Sequence, residues 1–181
     1  MKKFIFVALF LTISMQGYSS DFSSAKSTML FYQEALKTYD SAKIAEIMHP
    51  DALNRFRNAF DAALNGSNSK KAQKELFPLF LVSNIDEYNN LTNIDAYRRL
   101  NEAIKNSQPK LVDMMKSSKI EFIGETTSGD ITTVTYTLTF NVNDRNIDQD
   151  TLQKLKLYNG KWLFLLPPSA EAAIARIEAR F

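Results

Sequence analysis

The stretch Ile131-Thr-Thr-Val-Thr-Tyr-Thr-Leu-Thr-Phe-Asn-Val-Asn143 alternates for its whole length. Val134, Tyr136, Leu138, Phe140 and Val142 fall on one side, and Thr133, Thr135, Thr137 and Thr139 on the other. A period of two in β-branched and aromatic residues predicts an antiparallel strand with one face buried. Working outward, Ser128-Gly129-Asp130 turns the chain back into a second alternating run, Lys119 to Glu125. Ile120, Phe122 and Gly124 of that run face away from Lys119, Glu121, Ile123 and Glu125. On the other side, Leu152 to Tyr158 and Lys161 to Leu166 are joined by Asn159-Gly160, the dipeptide that two-residue hairpins prefer. That turn places Leu157 opposite Trp162 and Leu155 opposite Phe164, on one face. Pro167-Pro168 stops the strand, and Ser169 is read as the cap of a last short helix with Ile174, Ile177 and Phe181 inward.

The chain before residue 118 has the helical period instead. Ser23 to Thr38 carries a rough helical stripe of Met29, Leu30, Tyr32, Leu36 and Tyr39, and Asp40 is placed to cap a short helix with Ile44, Ile47 and Met48. After His49-Pro50-Asp51, the stripe Leu53, Phe56, Phe60, Ala63, Leu64 marks an amphipathic helix that Asn65-Gly66 ends. Lys70 to Phe80 reads as a helix weakened at Pro78, whereas Leu81 to Asn90 shows no usable period. Thr92 or Asn93 caps a helix with Ile94, Tyr97, Leu100 and Ile104 inward, and Pro109 opens one more. Helices followed by strands, with a final helix, make an α+β fold in which the greasy sheet face needs a helical cover.

Composition narrows the function. The 181 residues are 45% hydrophobic and 23% charged, which fits one globular domain spanning residues 20–181. Residues 1–19 read as a signal peptide: Lys2 and Lys3, the apolar run Phe4 to Ile13, then Gly17-Tyr18-Ser19. A span needs about 20 apolar residues, so no transmembrane helix is expected after cleavage, and the protein is expected to be periplasmic or secreted. Losing Lys2 and Lys3 from the 22 basic side chains leaves them matched to the 20 acidic ones. Basic doublets such as Lys70-Lys71 and Arg98-Arg99 are too sparse for a nucleic-acid footprint. With no cysteine there is neither a disulfide nor a thiol for a lipid anchor.

Little in the sequence is chemical. His49 is the one histidine, and Pro50-Asp51 behind it is what a sharp corner into a new helix requires. One histidine and no cysteine cannot assemble a zinc site. Asp144, Asn146, Asp148 and Asp150 have the spacing of a calcium loop, but Gln149 replaces its glycine and Leu155 its closing glutamate. The segment is therefore read as a polar loop between strands. No nucleophile elbow or phosphate loop is present, and neither metal nor cofactor is expected.

The run Tyr39 to Leu53, with its Asp-capped short helix and Pro-Asp step, resembles the opening of the nuclear transport factor 2-like superfamily. The strands through Asn159-Gly160-Lys161-Trp162 resemble the end of it. The resemblance implies a cone: a curved antiparallel sheet wrapped on N-terminal helices, with a cavity lined by Phe56, Phe60, Tyr136, Leu138, Trp162 and Phe164. The signal peptide, this cone-like pattern and the missing acid–base set on the inward strand faces together point to a non-catalytic periplasmic domain that binds a small apolar ligand or a partner protein. The alternative is a cofactor-independent isomerase or dehydratase using His49, Tyr136 or Asp51. The resemblance also raises the expectation of a homodimer through Thr133, Thr135, Thr137 and Thr139.

Overall fold

The protein is described by a computed structural model covering residues 22–142 and 145–181; the expected signal peptide, Asn143 and Asp144 lie outside the described residues. The helices are α1 (Ala25–Thr38), α2 (Ser41–Glu46), α3 (Pro50–Asn65), α4 (Ser69–Phe80), α5 (Ile85–Asn89), α6 (Asn93–Ser107), α7 (Pro109–Lys116) and α8 (Pro168–Arg180). The strands β1 (Lys119–Ser128), β2 (Ile131–Val142), β3 (Arg145–Tyr158) and β4 (Lys161–Phe164) form an antiparallel meander in the order β1-β2-β3-β4. The fold is α+β, with most helices preceding the sheet.

Local chemistry sets the boundaries. Ser24 and Ser27 form a reciprocal capping box at the start of α1, and Asp40 accepts from the amides of Ala42 and Lys43 at the start of α2. The Asn159-Gly160 turn has φ of 50° and 76°, the left-handed pair that a two-residue hairpin turn requires. Its register pairs Leu157 with Trp162 and Leu155 with Phe164, as the sequence predicts. Pro78 is tolerated because α4 runs only two residues further before Leu81 caps it with φ of 53°. The unassigned 81–90 region contains α5, capped by the Asn84 side chain.

Two expectations about the sheet fail for physical reasons. Residues 145–151 are strand, not loop: Asp148 and Asp150 pair with Thr139 and Thr137, whose hydroxyls donate to the two carboxylates at 2.7 and 2.8 Å. The two-residue spacing that suggested a cation loop is here the pleat of a strand facing a threonine ladder. In β1 a bulge between Phe122 and Gly124 inserts Ile123, so Gly124 opposes Thr135 on the outer face instead of continuing the inner one.

A third correction concerns the cover. The inner face, from Val134, Tyr136 and Leu155 to Phe164, packs against Phe22, Ala25 and Met29 at α1, and against Ile47, Met48, Ala52 and Leu53. The stripe of Phe56 and Phe60, expected to roof the sheet, instead enters a second core with Leu76, Phe80, Tyr88, Ala96 and Ile174. Helix α3 thus starts in the sheet core and ends in the helical one. Arg57, on its flank, is buried as well. Its guanidinium donates to Asp61 at 2.8 Å and to the carbonyls of Leu91 and Tyr88 at 2.9 and 3.2 Å, and lies 4.1 Å from the Tyr88 ring centroid. It ties α3 to the α5–α6 connection by donating to two carbonyls, of which that of Tyr88 also accepts the Leu91 amide at 3.0 Å. Ile94, expected inward on α6, is 42% exposed; Ala96 and Ala103 take the buried positions.

Beyond β4 the edge of the sheet is occupied. The Phe164 amide donates to Ile47 O at 2.7 Å, His49 N–H donates to Phe164 O at 2.8 Å, and the Trp162 amide donates to Phe22 O at 2.8 Å.

Candidate ligand groove

An apolar groove of about 380 Å³ lies between α3, α6 and α8. Each wall is one helical stripe. Helix α3 contributes Phe56 and Phe60, α6 contributes Tyr97, Leu100 and Ile104, and α8 contributes Ala170, Ala173, Ile174 and Ile177 over a floor at Leu166. The aromatic wall is stiff. Phe56 and Phe60 have centroids 4.9 Å apart, Phe60 meets Phe80 edge-on at 4.9 Å, and Tyr97 meets Phe56 edge-on at 5.3 Å.

Polar groups are few. Asn101 is buried and donates from Nδ2 to Tyr97 O at 2.9 Å, and Ser169 sits in the first turn of α8. Burial pushes the Tyr97 hydroxyl up to about 12, and a hydrogen bond from Asn101 pulls the other way, so the phenol stays protonated at neutral pH. Among the described residues no carboxylate, amine, guanidinium or imidazole lines the groove. Ser169 does not cap α8 as predicted: that helix begins at Pro168, and the N-cap is Pro167 without a side-chain bond. That helix docks through Ile174, which is buried in the helical core, and half-exposed ion pairs flank the contact, from Arg55 to Glu171 and Glu178 and from Arg180 to Glu75.

The six residues expected to share a pocket do not. Phe56 and Phe60 line this groove, while Tyr136, Leu138, Trp162 and Phe164 belong to the sheet core. There Phe164 meets Tyr32 edge-on at 5.2 Å, and burial raises the pKa of the Tyr136 hydroxyl. Tyr97 and Leu166 form the connection, since each packs against both cores. Asn101 was legible only as a polar residue four positions after Tyr97 on an apolar stripe, and Ala173 as a small residue on α8.

His49 is the N-cap of α3. Its Nδ1 accepts the Asp51 amide at 3.0 Å, which leaves the proton of the neutral ring on Nε2, and the ring meets Tyr158 edge-on at 5.5 Å. Burial lowers its pKa, with Asp51 opposing and Lys156 reinforcing the shift. Asp51 is held by Lys156 at 2.7 Å; that hydrogen bond depresses the carboxyl pKa and raises the ammonium's. Neither His49, Asp51 nor Tyr136 lines this groove or a second, wider trough of about 620 Å³ along Lys37, Lys116, Lys119 and Glu121. Among the described residues no group of three His, Cys, Asp or Glu could hold a metal ion, and no helix is long and apolar enough to cross a membrane.

No family model and no curated relative matches the chain. Among solved structures, the solution structure of a SEC-C motif containing protein from Rhodopseudomonas palustris is similar over 80% of this chain and 77% of that one. The identity is 13% and the TM-score 0.43. At that distance the chemistry of the groove rests on this chain's own residues.

Proposed function

We propose that the protein is a non-catalytic binding domain, and that the α3–α6–α8 groove takes a small, mostly apolar ligand with one hydrogen-bonding group. The observation that carries this reading is the lining: three apolar helix stripes with Asn101 and Ser169 as isolated polar points, and no ionised side chain. A volume of about 380 Å³ falls at the small end of the roughly 300–1,000 Å³ usual for ligand sites. Asn101 still has its carbonyl oxygen to accept a bond, and Ser169 can donate or accept, so an alcohol or amide end is the chemistry that matches.

The export pattern of residues 1–19 supports a periplasmic or secreted location, and the likeness to the nuclear transport factor 2-like cone supports a ligand-binding role. The alternative, cofactor-independent proton transfer, has weaker support. His49 spends Nδ1 on capping α3, and a general base must reach its proton directly or through one water.

Titration with N-phenyl-1-naphthylamine, an apolar fluorophore, tests the groove. Saturable one-to-one enhancement that is lost in Ala173→Trp, with circular dichroism unchanged, is the expected result. Enhancement that survives Ala173→Trp places the site elsewhere and ends the reading.

A further inference from the structure

One end of the molecule is both aromatic and basic. The β3–β4 hairpin ends with exposed Leu157 opposite half-buried Trp162, the protein's one tryptophan. Helix α1 stands beside it: the Thr28 hydroxyl donates to Trp162 O at 2.7 Å, and the Trp162 amide donates to Phe22 O at 2.8 Å. Outward on α1 are Leu30, which is 56% exposed, and half-buried Phe31, whose ring meets Phe22 edge-on at 5.0 Å. Two exposed lysines border this apolar surface. The Lys161 ammonium lies 5.7 Å from the Phe22 ring centroid, and that of Lys26 lies 5.7 Å from the Phe122 centroid.

We infer that this end docks on the surface of an anionic lipid bilayer. Leu30, Leu157 and Trp162 enter the headgroup boundary, and the Lys26 and Lys161 ammonium groups sit among the phosphates. Tryptophan and lysine gather where proteins meet membranes, because indole is amphipathic and a lysine stem lies on apolar surface while its head stays wet. Interfaces between proteins are instead depleted in lysine. Neither Lys26 nor Lys161 has an ion-pair partner among the described residues. Lys26 also stands in the first turn of α1, at the positive end of the helix dipole, and no acidic residue balances it there. A negative surface favours both the lysine and the dipole.

Each lysine close to such a surface strengthens binding about fivefold. The attraction fades within about 8 Å at physiological salt, so the docking is reversible and weakens as salt is added.

Trp162 lies in the docking surface, so its emission reads the contact. Protein produced from the whole sequence is titrated with vesicles of phosphatidylcholine, alone or mixed equally with phosphatidylglycerol. The mixed vesicles are expected to shift the emission to the blue and to carry the protein down on sedimentation, at least about tenfold more tightly than phosphatidylcholine alone. Lys26→Glu with Lys161→Glu, circular dichroism unchanged, should weaken that binding at least about tenfold. Lys70→Glu with Lys154→Glu makes the same charge change on α4 and on the outer sheet face, and should alter it less than about threefold. The proposal is overturned by an unshifted emission, by equal affinity for phosphatidylcholine alone, or by a control pair that weakens binding as much. It is overturned too by binding that survives Lys26→Glu with Lys161→Glu, as binding through the apolar run Phe4 to Ile13 would. None of these side chains lines the groove, so the two readings fail separately.

Discussion

Against the sheet, Phe22 and, from α1, Ala25 and Met29 pack with Val134, Tyr136 and Leu155 in one core. Among the helices, α3, α6 and α8 meet around Phe56, Phe60 and Tyr97 and leave a groove of about 380 Å³. The first core is pleated, with neighbours fixed by backbone register every two residues. The second is held by edge-on aromatic contacts between rods, and three rods with small residues at Ala170 and Ala173 do not fill the space between them. A regular ladder leaves little room for a ligand, whereas helix packing leaves room wherever its knobs are short.

The sharpest way to break that comparison is to cut one side chain from each core. Phe80→Ala removes a fully buried ring that touches Phe56, Phe60 and Tyr88, and should cost about 3–5 kcal/mol in urea unfolding; Leu155→Ala should cost about 2–5. Tyr97 and Leu166 pack in both cores, so each variant should shift one shared transition. Two separate transitions would mean that the cores fold independently.

His49 gives a finer probe, since it begins the helix that runs from one core to the other. His49→Ala should cost about 1 kcal/mol, and His49→Asn, which keeps a capping acceptor, much less. The sign of the pH effect follows from burial. The folded pKa lies below the ordinary 6.5, so the folded state binds fewer protons there than the unfolded one. Its contribution is complete above about pH 6.5 and is lost as pH falls through the lowered value. That part of the acid sensitivity should vanish in His49→Asn; an identical profile would show that the imidazole does not titrate with folding.

The smallest effect is expected at α8. Arg55→Gln removes the half-exposed bridges to Glu171 and Glu178 and should cost under about 1 kcal/mol. Hydrogen exchange should rise in α8 while staying unchanged in β2 and β3. Uniform protection would show that apolar contacts alone hold the groove's third wall.

Local signals carried the sequence reading far. The caps at Asp40 and Thr92, the corner at His49 and the hairpin at Asn159-Gly160 depend on atoms a few residues apart, and the structure has each of them. What failed was what depends on distant partners. Asp148 and Asp150 look like loop residues until Thr137 and Thr139 stand opposite, and Phe56 and Phe60 could have covered a sheet or another helix with equal profit. The bulge at Ile123 left no mark because Gly124 suits either face. Of the groove, the stripes of α3 and α6 were visible, but which helices would meet was not. Arg57 and Asn101 look like surface residues on any hydropathy scale; only their position beside apolar stripes hinted at burial.

The plug that Phe22 and residues 47–49 place along β4 bears on behaviour in crowded solution. An unpaired rim of amides and carbonyls is a template on which further chains can add without limit. Here one rim is already filled by the protein's own backbone, and the other is kinked at Ile123 and carries Lys119, Glu121 and Glu125. Growth into fibres is thereby discouraged at both ends.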